Sequence, residues 1–238
     1  IEHTTTLELG QGFREPTAKE RFMDFTNSAV GYRVAGNADL VTEKATTLTA
    51  RHQLETQKLK STISASYNRL RDAIGFKVTD AGQWRYGNFS SLETWVGQFN
   101  SIYKLPSRFS VSTGYQILRG RNLETGGETF LQPRHRVSFS LSREPAYGLH
   151  WFSQAVWTSK QGFFDSNRNG FLDDSEYMPS FWMTTVELGY AFKPKFLGQS
   201  FAELLRIYLR LDNALNQINS DSFPLEPRTI FLGAQVDL

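Results

Sequence analysis

Alternation with a period of two residues runs along this chain from one end to the other, and it limits the fold more than any other feature. Near the C-terminus Ile230, Leu232, Ala234, Val236 and Leu238 share one parity, while Thr229, Phe231, Gly233, Gln235 and Asp237 share the other. Successive side chains of a strand point to opposite faces, so this is a strand with one apolar and one polar face. Leu205, Ile207, Leu209 and Leu211 oppose Arg206, Tyr208, Arg210 and Asp212 in the same way. That second row is too charged for the core of a soluble sandwich and suits a wall that faces water. Phe109, Val111, Thr113 and Tyr115 alternate with Ser110, Ser112 and Gly114, and Val137, Phe139 and Leu141 with Ser138, Ser140 and Ser142. The pattern places strands near 1–13, 43–56, 59–73, 88–103, 108–121, 134–144, 148–159, 181–193, 201–216 and 228–238, about ten in all. Only 148–159 leaves its faces unassigned, because Phe152 and Val156 share the parity of His150 and Gln154.

The connections sort by length. Those at 55–58, 105–107 and 145–148 are tight and 194–200 is of middle length, whereas 14–42, 74–87, 122–133, 160–180 and 217–227 are long. Tight turns on one rim and long loops on the other mark an all-β, antiparallel transmembrane barrel of the bacterial outer membrane, with its turns toward the periplasm. A short helix is expected within 16–25, where Pro16 precedes Lys19, Glu20 and Arg21. Aromatic residues make up 14% of a chain whose mean hydropathy is -0.41, as expected of girdles on a lipid-facing surface. With 26 Lys+Arg against 24 Asp+Glu, the totals give no support to nucleic-acid binding. No apolar run approaches the roughly 18 residues of a membrane-spanning helix. The absence of Cys excludes thiol catalysis, disulfides and Cys-ligated zinc. Because 1–13 already alternates, no signal peptide opens the sequence, which reads as mature or as beginning mid-protein.

Four short strings add a family resemblance. The first long connection carries Gly12-Phe13-Arg14-Glu15-Pro16-Thr17, and then Gly36-Asn37-Ala38-Asp39-Leu40 followed by Glu43-Lys44. Each is one residue away from the Gly-Phe-Arg-Ala-Pro and Asn-Pro-Asp-Leu boxes of TonB-dependent outer-membrane receptors. Near the end, 209–216 resembles the close of that family's penultimate strand, and Arg228-Thr229-Ile230-Phe231-Leu232-Gly233 resembles its final strand. The order and spacing agree, so the chain resembles the C-terminal portion of such a barrel over 1–238, taken as one unit. The resemblance implies a barrel of about 22 strands around a plugged lumen, of which this chain supplies the last ten or so. The plug and the TonB-contacting box lie N-terminal to the barrel in that family and are absent from this chain. It further implies a Gram-negative outer-membrane receptor that imports a scarce ligand, a ferric siderophore or cobalamin, on energy delivered by TonB. The implied partners are outer-membrane lipid and the barrel assembly machinery, although Leu238 departs from the Phe or Trp with which bacterial barrels usually end. The alternative is a free-standing small barrel that acts as a passive pore or an adhesion scaffold.

One long connection carries a metal-binding pattern. Residues 165–176 satisfy D-x-[DN]-x-[DN]-G-x5-E, with oxygen ligands expected from Asp165, Asn167, Asn169, the Phe171 carbonyl, Asp173 and Glu176, and with Gly170 at the sharp turn. The expected ion is a structural calcium that stiffens the loop; a solvated acidic turn is the plain alternative. The flanks are strands rather than helices. Heme is not expected, because heme receptors of the resembled family hold an axial His between the two boxes. The four His residues, at 3, 52, 135 and 150, all lie outside 14–42. His3 and His52 are expected near the periplasmic ends of strands. Phe22, Phe25, Tyr32, Trp84, Tyr86, Phe89, Phe130, Phe163 and Phe164 either line an outward vestibule, or pack the loops together or sit in the upper girdle. Trp151, Trp157, Trp182 and Tyr190 are expected in the lipid-facing girdle, and Arg206 and Arg210 on the lumen wall. No catalytic motif is present: there is no G-x-S-x-G, Walker loop or H-E-x-x-H, and Gly10-Gln11-Gly12 is an incomplete G-x-G-x-x-G.

Overall fold

The computed structural model describes residues 1–27, 29, 32–78, 83–123, 126–127, 132–144, 147–162, 173–196, 199–200, 204–218 and 225–237 of the chain. Its strands are β1 (Glu2–Arg14), β2 (Asp24–Asn27), β3 (Tyr32–Ala35), β4 (Glu43–Glu55), β5 (Leu59–Val78), β6 (Trp84–Lys104), β7 (Phe109–Asn122) and β8 (His135–Arg143). They continue as β9 (Gly148–Thr158), β10 (Gln161–Gly162), β11 (Tyr177–Met178), β12 (Phe181–Phe192), β13 (Lys195–Phe196), β14 (Gln199–Ser200), β15 (Leu204–Asp212) and β16 (Thr229–Asp237). The alternating segments pair in the order β1-β4-β5-β6-β7-β8-β9-β12-β15-β16, each antiparallel to the next. The sheet is open, with β1 at one edge and β16 at the other.

Register carries each parity unbroken across the sheet. On one face stand Leu7, Leu48, Ile63, Trp95, Tyr115, Phe139, Leu188, Ile207 and Leu232, all exposed. On the other are Thr49, Ser66, Gln98, Gln116, Ser138, Gln154 and Arg210. Hydroxyls on this polar face bond across the strands, Thr49 to Ser66 at 3.1 Å and Ser110 to Ser142 at 2.8 Å. The only buried apolar residues among those described are Val34, Leu40, Ala73, Met178 and Ala191, too few for a core. An apolar face of this extent, with nothing packed on it among the described residues, has the character of a barrel's outer wall. Register also assigns β9: Ser140, Gln154 and Thr185 lie in one row, which puts Phe152 and Val156 on the polar face with His150.

Three boundaries differ from the sequence reading. β5 and β6 run on to Val78 and back from Trp84, so most of the connection at 74–87 is a ladder, in which Phe76 pairs with Tyr86 and Val78 with Trp84. The 194–200 connection contains the β13–β14 hairpin. Residues 213–216 leave β15 in a turn, with Asn213 and Asn216 in the left-handed region at φ 48° and 49°. The expected helix is shorter, α1 (Ala18–Phe22), and ends where Met23 turns extended.

Candidate functional site

The first long connection folds as a strap across the top of the neighbouring hairpin. Thr17 begins it as the N-cap of α1: its hydroxyl accepts from the Glu20 N–H, while its own N–H donates to Glu20 Oε2 at 2.7 Å. Arg14, at the end of β1, donates through Nη1 to both Glu20 oxygens at 2.9 and 3.0 Å, and through Nε to Glu43. The buried Glu43 accepts the Ile74 N–H of β5 at 3.1 Å on its other oxygen. Burial pushes the Glu20 carboxyl up, but the Thr17 N–H, the Arg14 guanidinium and the Thr17 hydroxyl together outweigh it and hold the group below its ordinary value. Gly36 passes so close to α1 that a Cβ there would lie 2.6 Å from the Arg21 carbonyl oxygen. β2 and β3 form a hairpin, and β3 adds to the edge of β6 in parallel, Val34 beside Trp84 and Ala35 beside Arg85. Asn88 of β6, on the polar parity, clasps Val41 with both ends of its amide at 3.0 Å and also donates to the Asp72 carbonyl. The strap therefore crosses the β5–β6 hairpin on its polar side, with Val34 and Leu40 buried beneath it. Both box-like strings of the sequence belong to this fastening.

Beyond the strap the polar side of the hairpin carries an aromatic cluster. Phe76 lies 4.3 Å from Tyr86 and 6.2 Å from Trp84 between ring centres, the latter edge to face, with Lys77 and Arg85 on the same tip. Trp84 and Tyr86 were among the sequence candidates; Phe76 was missed, and its even parity with them was the available signal. Phe22 and Phe25 of the strap are exposed, at 72% and 48%. Nothing is described for Phe130, Phe163 and Phe164, nor for the side chains of Tyr32 and Phe89. Lower on the polar face, Gln98, Asn100, Gly114, Gln116, Arg136, Ser138 and Gln154 line a concavity of about 280 Å³. Further along the wall His150 Nε2 meets Glu187 Oε1 at 3.0 Å, and Arg210 bonds Asp212, which also accepts from Thr185. Tyr208 lies over Gly233, where a Cβ would come within 2.4 Å of the ring. Arg206 and Arg210 thus occupy the wall expected of them.

At the outward end of β15, the fully buried Asn213 donates to the carbonyls of Gln217 and Glu226 and accepts the Gln217 N–H, tying both ends of the last long connection together. Trp151, Trp157, Trp182 and Tyr190 stand on the apolar face, as expected of a girdle. His3 and His52 meet there at 3.4 Å near the tight-turn end of β1 and β4, and Thr5 bonds His52 at 2.9 Å. His135 bonds the Tyr115 hydroxyl on the same face.

Of the expected calcium ligands, Asp165, Asn167, Asn169 and Phe171 lie outside the described residues. Asp173 caps a helical turn, Asp174–Glu176, and its N–H donates to Glu176 Oε2 at 2.9 Å; Glu176 is buried. The exit from the connection is thus a single helical turn before β11, inside the 160–180 connection of the sequence reading. β10 and β11 pair at the neck of the loop, and Lys160 reaches Asp174 and covers the Tyr177 ring. Among the described residues no three His, Asp or Glu side chains converge as a metal site.

Comparison with known proteins gives a consistent outcome. The family model described as TonB dependent receptor-like, β-barrel matches residues 4–214. No curated protein sequence matches. Among solved structures, 98% of the chain superposes on the copper transporter OprC with a TM-score of 0.74 at 16% identity, covering 36% of that chain. It superposes equally far on a mutant of the ferric enterobactin receptor PfeA from Pseudomonas aeruginosa, with a TM-score of 0.75 at 12% identity and 37% of that chain covered. The siderophore receptor PirA from Acinetobacter baumannii gives a TM-score of 0.73 at 13% identity, with 38% of that chain covered. The chain thus spans little more than a third of the length of these structures.

Proposed function

Because the chain belongs to the TonB-dependent receptor-like β-barrel family, we propose that it is the C-terminal part of the barrel of an outer-membrane receptor that imports a ferric siderophore. Its strands are the wall, lipid surrounds them, the barrel assembly machinery inserts them, and TonB supplies energy through a plug elsewhere in the receptor. The observation that carries this reading is the two-sidedness of the sheet: an uncovered apolar face opposite a polar wall whose outward rim bears Phe76, Tyr86 and Trp84. A polar wall guides a polar solute. The exposed Phe76 and the half-buried Tyr86 and Trp84 suit an aromatic chelate through ring contacts. PfeA and PirA, which are siderophore receptors by name, lend support to that ligand class. The same family relation supports a transport role, and we assign the chain no catalytic one. Uptake of radiolabelled ferric catecholate under iron limitation tests the reading. A strain without this gene and a strain without TonB should both lose it. Unchanged uptake across a panel of ferric siderophores and cobalamin in the gene-deleted strain overturns it.

We propose as well that 165–176 holds a structural calcium ion through Asp165, Asn167, Asn169, Phe171, Asp173 and Glu176. Two features support this: the complete ligand spacing, and the helical turn capped by Asp173 that carries Glu176, the exit by which loops of this pattern bring round their last ligand.

A further inference from the structure

Two of the four imidazoles of this chain meet across a strand ladder. β1 and β4 pair antiparallel with Thr5 opposite His52 and Leu54 opposite His3, so the two His side chains are diagonal neighbours on the apolar face and within reach of each other. His3 Nδ1 lies 3.4 Å from His52 Nε2, long for a hydrogen bond from an N–H group, which centres at about 2.9–3.0 Å. Two ring nitrogens that each lie about 2.0–2.1 Å from one tetrahedral zinc ion stand about 3.4 Å apart. The ring centres are 5.6 Å apart and the planes tilted by 33°, so the rings meet through their nitrogens rather than their faces. A small rotation of each ring aims both lone pairs at one point. His52 Nδ1 is 2.9 Å from the Thr5 hydroxyl. Donation from Nδ1–H to that oxygen leaves Nε2 as the free nitrogen on the side of His3, which is how an outer partner orients a metal-binding imidazole. His3 is exposed and His52 half-buried, near the tight turn that follows Glu55. Glu2 and Glu55 stand on the opposite parity, so the ring nitrogens are the ligands this corner offers.

We propose that His3 and His52 form a two-nitrogen site for a zinc ion, which ties the edge strand β1 to β4 with water in the remaining positions. Imidazole nitrogens suit zinc, copper and nickel, whereas calcium and magnesium take oxygen donors. The span of 3.4 Å then favours a tetrahedral ion, because neighbouring nitrogens on a square-planar ion would stand about 2.9 Å apart. The site needs only the β1–β4 ladder and is independent of the solute that the receptor carries.

The test uses the full-length receptor that contains this chain, purified in mild detergent and stripped of metal with a chelator. Diethyl pyrocarbonate acylates free ring nitrogens, and peptide mass spectrometry reads each His separately. Micromolar zinc chloride should block modification of His3 and His52 and leave His135 reacting as before, while calcium chloride at the same concentration should block neither. In His3→Gln the zinc protection of His52 should be lost, because one imidazole alone does not hold the ion. Thr5→Val should raise the zinc concentration for half protection about tenfold, and Thr5→Ser should restore it. Equal modification of His3 and His52 with and without zinc in the unmodified receptor overturns the proposal whether or not the variants assemble. Protection of His52 that persists in His3→Gln overturns it as well. A receptor that shows the protection but imports no ferric siderophore upholds the zinc site and defeats the transport reading alone.

Discussion

The Glu20 carboxylate gathers the Thr17 N–H and hydroxyl together with the Arg14 guanidinium, and this makes the strap sensitive to acid. Its value in the folded state is depressed, so its contribution is fully present above the ordinary carboxylate range and is lost as pH falls through the depressed value. Amide hydrogen exchange over 18–27 and 32–37, corrected for intrinsic rates, should therefore stay slow from neutral pH through the ordinary glutamate range and quicken only below it. Glu20→Gln should exchange faster already at neutral pH and lose that acid dependence; identical profiles for the two proteins would sink the assignment. At this scale the sequence was legible as strings rather than as contacts. The Gly-Phe-Arg and Gly-Asn-Ala-Asp-Leu segments could be seen as boxes, but why Gly36 lacks a side chain depends on the Arg21 carbonyl, which only the bend between α1 and β3 brings near. Asn213 likewise reads as an ordinary strand-end residue until its amide is found holding Gln217 and Glu226.

Among the elements, the embedded parts of the strands were readable because lipid requires an apolar residue at every second position. That requirement ends at the membrane surface. β5 and β6 have 20 and 21 residues, about twice the 9–11 that cross a bilayer. Their outer halves place Gly75, Lys77, Arg85 and Gly87 on the lipid-side parity, so the alternation fades while the ladder continues. β9 hid its faces for the converse reason. A lumen wall tolerates an aromatic or branched residue, and Phe152 stands there between Ser142 and Glu187. The β10–β11 neck closes the connection that carries the proposed calcium ligands, and an ion held above it would lock the loop. Calcium should protect 160–180 from protease on the intact receptor, and Asp165→Ala with Glu176→Ala should abolish that protection. Cleavage at equal rates with calcium and with chelator would count against the ion.

For the whole molecule the two free edges matter most. In a bilayer an unpaired strand edge leaves N–H and C=O groups without partners, at several kcal/mol each. β1 and β16 each present such an edge over their full length. Residues 1–238 expressed alone should give no heat-modifiable monomer in detergent, whereas the full receptor should give one; a stable monomer of this chain would instead mean that β1 and β16 close on each other as a small barrel. The paired order within the sheet followed from the alternation of short and long connections, but whether the edges meet is a property of strands lying outside the sequence pattern. The strap also orders events in time. Val41 needs Asn88, and Arg14 needs a Glu43 that is itself set by Ile74, so this connection waits on chain made some 47 residues later. Fastening it closes a long loop, whose entropy is recovered only once the β5–β6 hairpin stands. The rim is thus finished after the wall beneath it, and a receptor caught between those two steps would have its barrel strands paired and its outer mouth still loose.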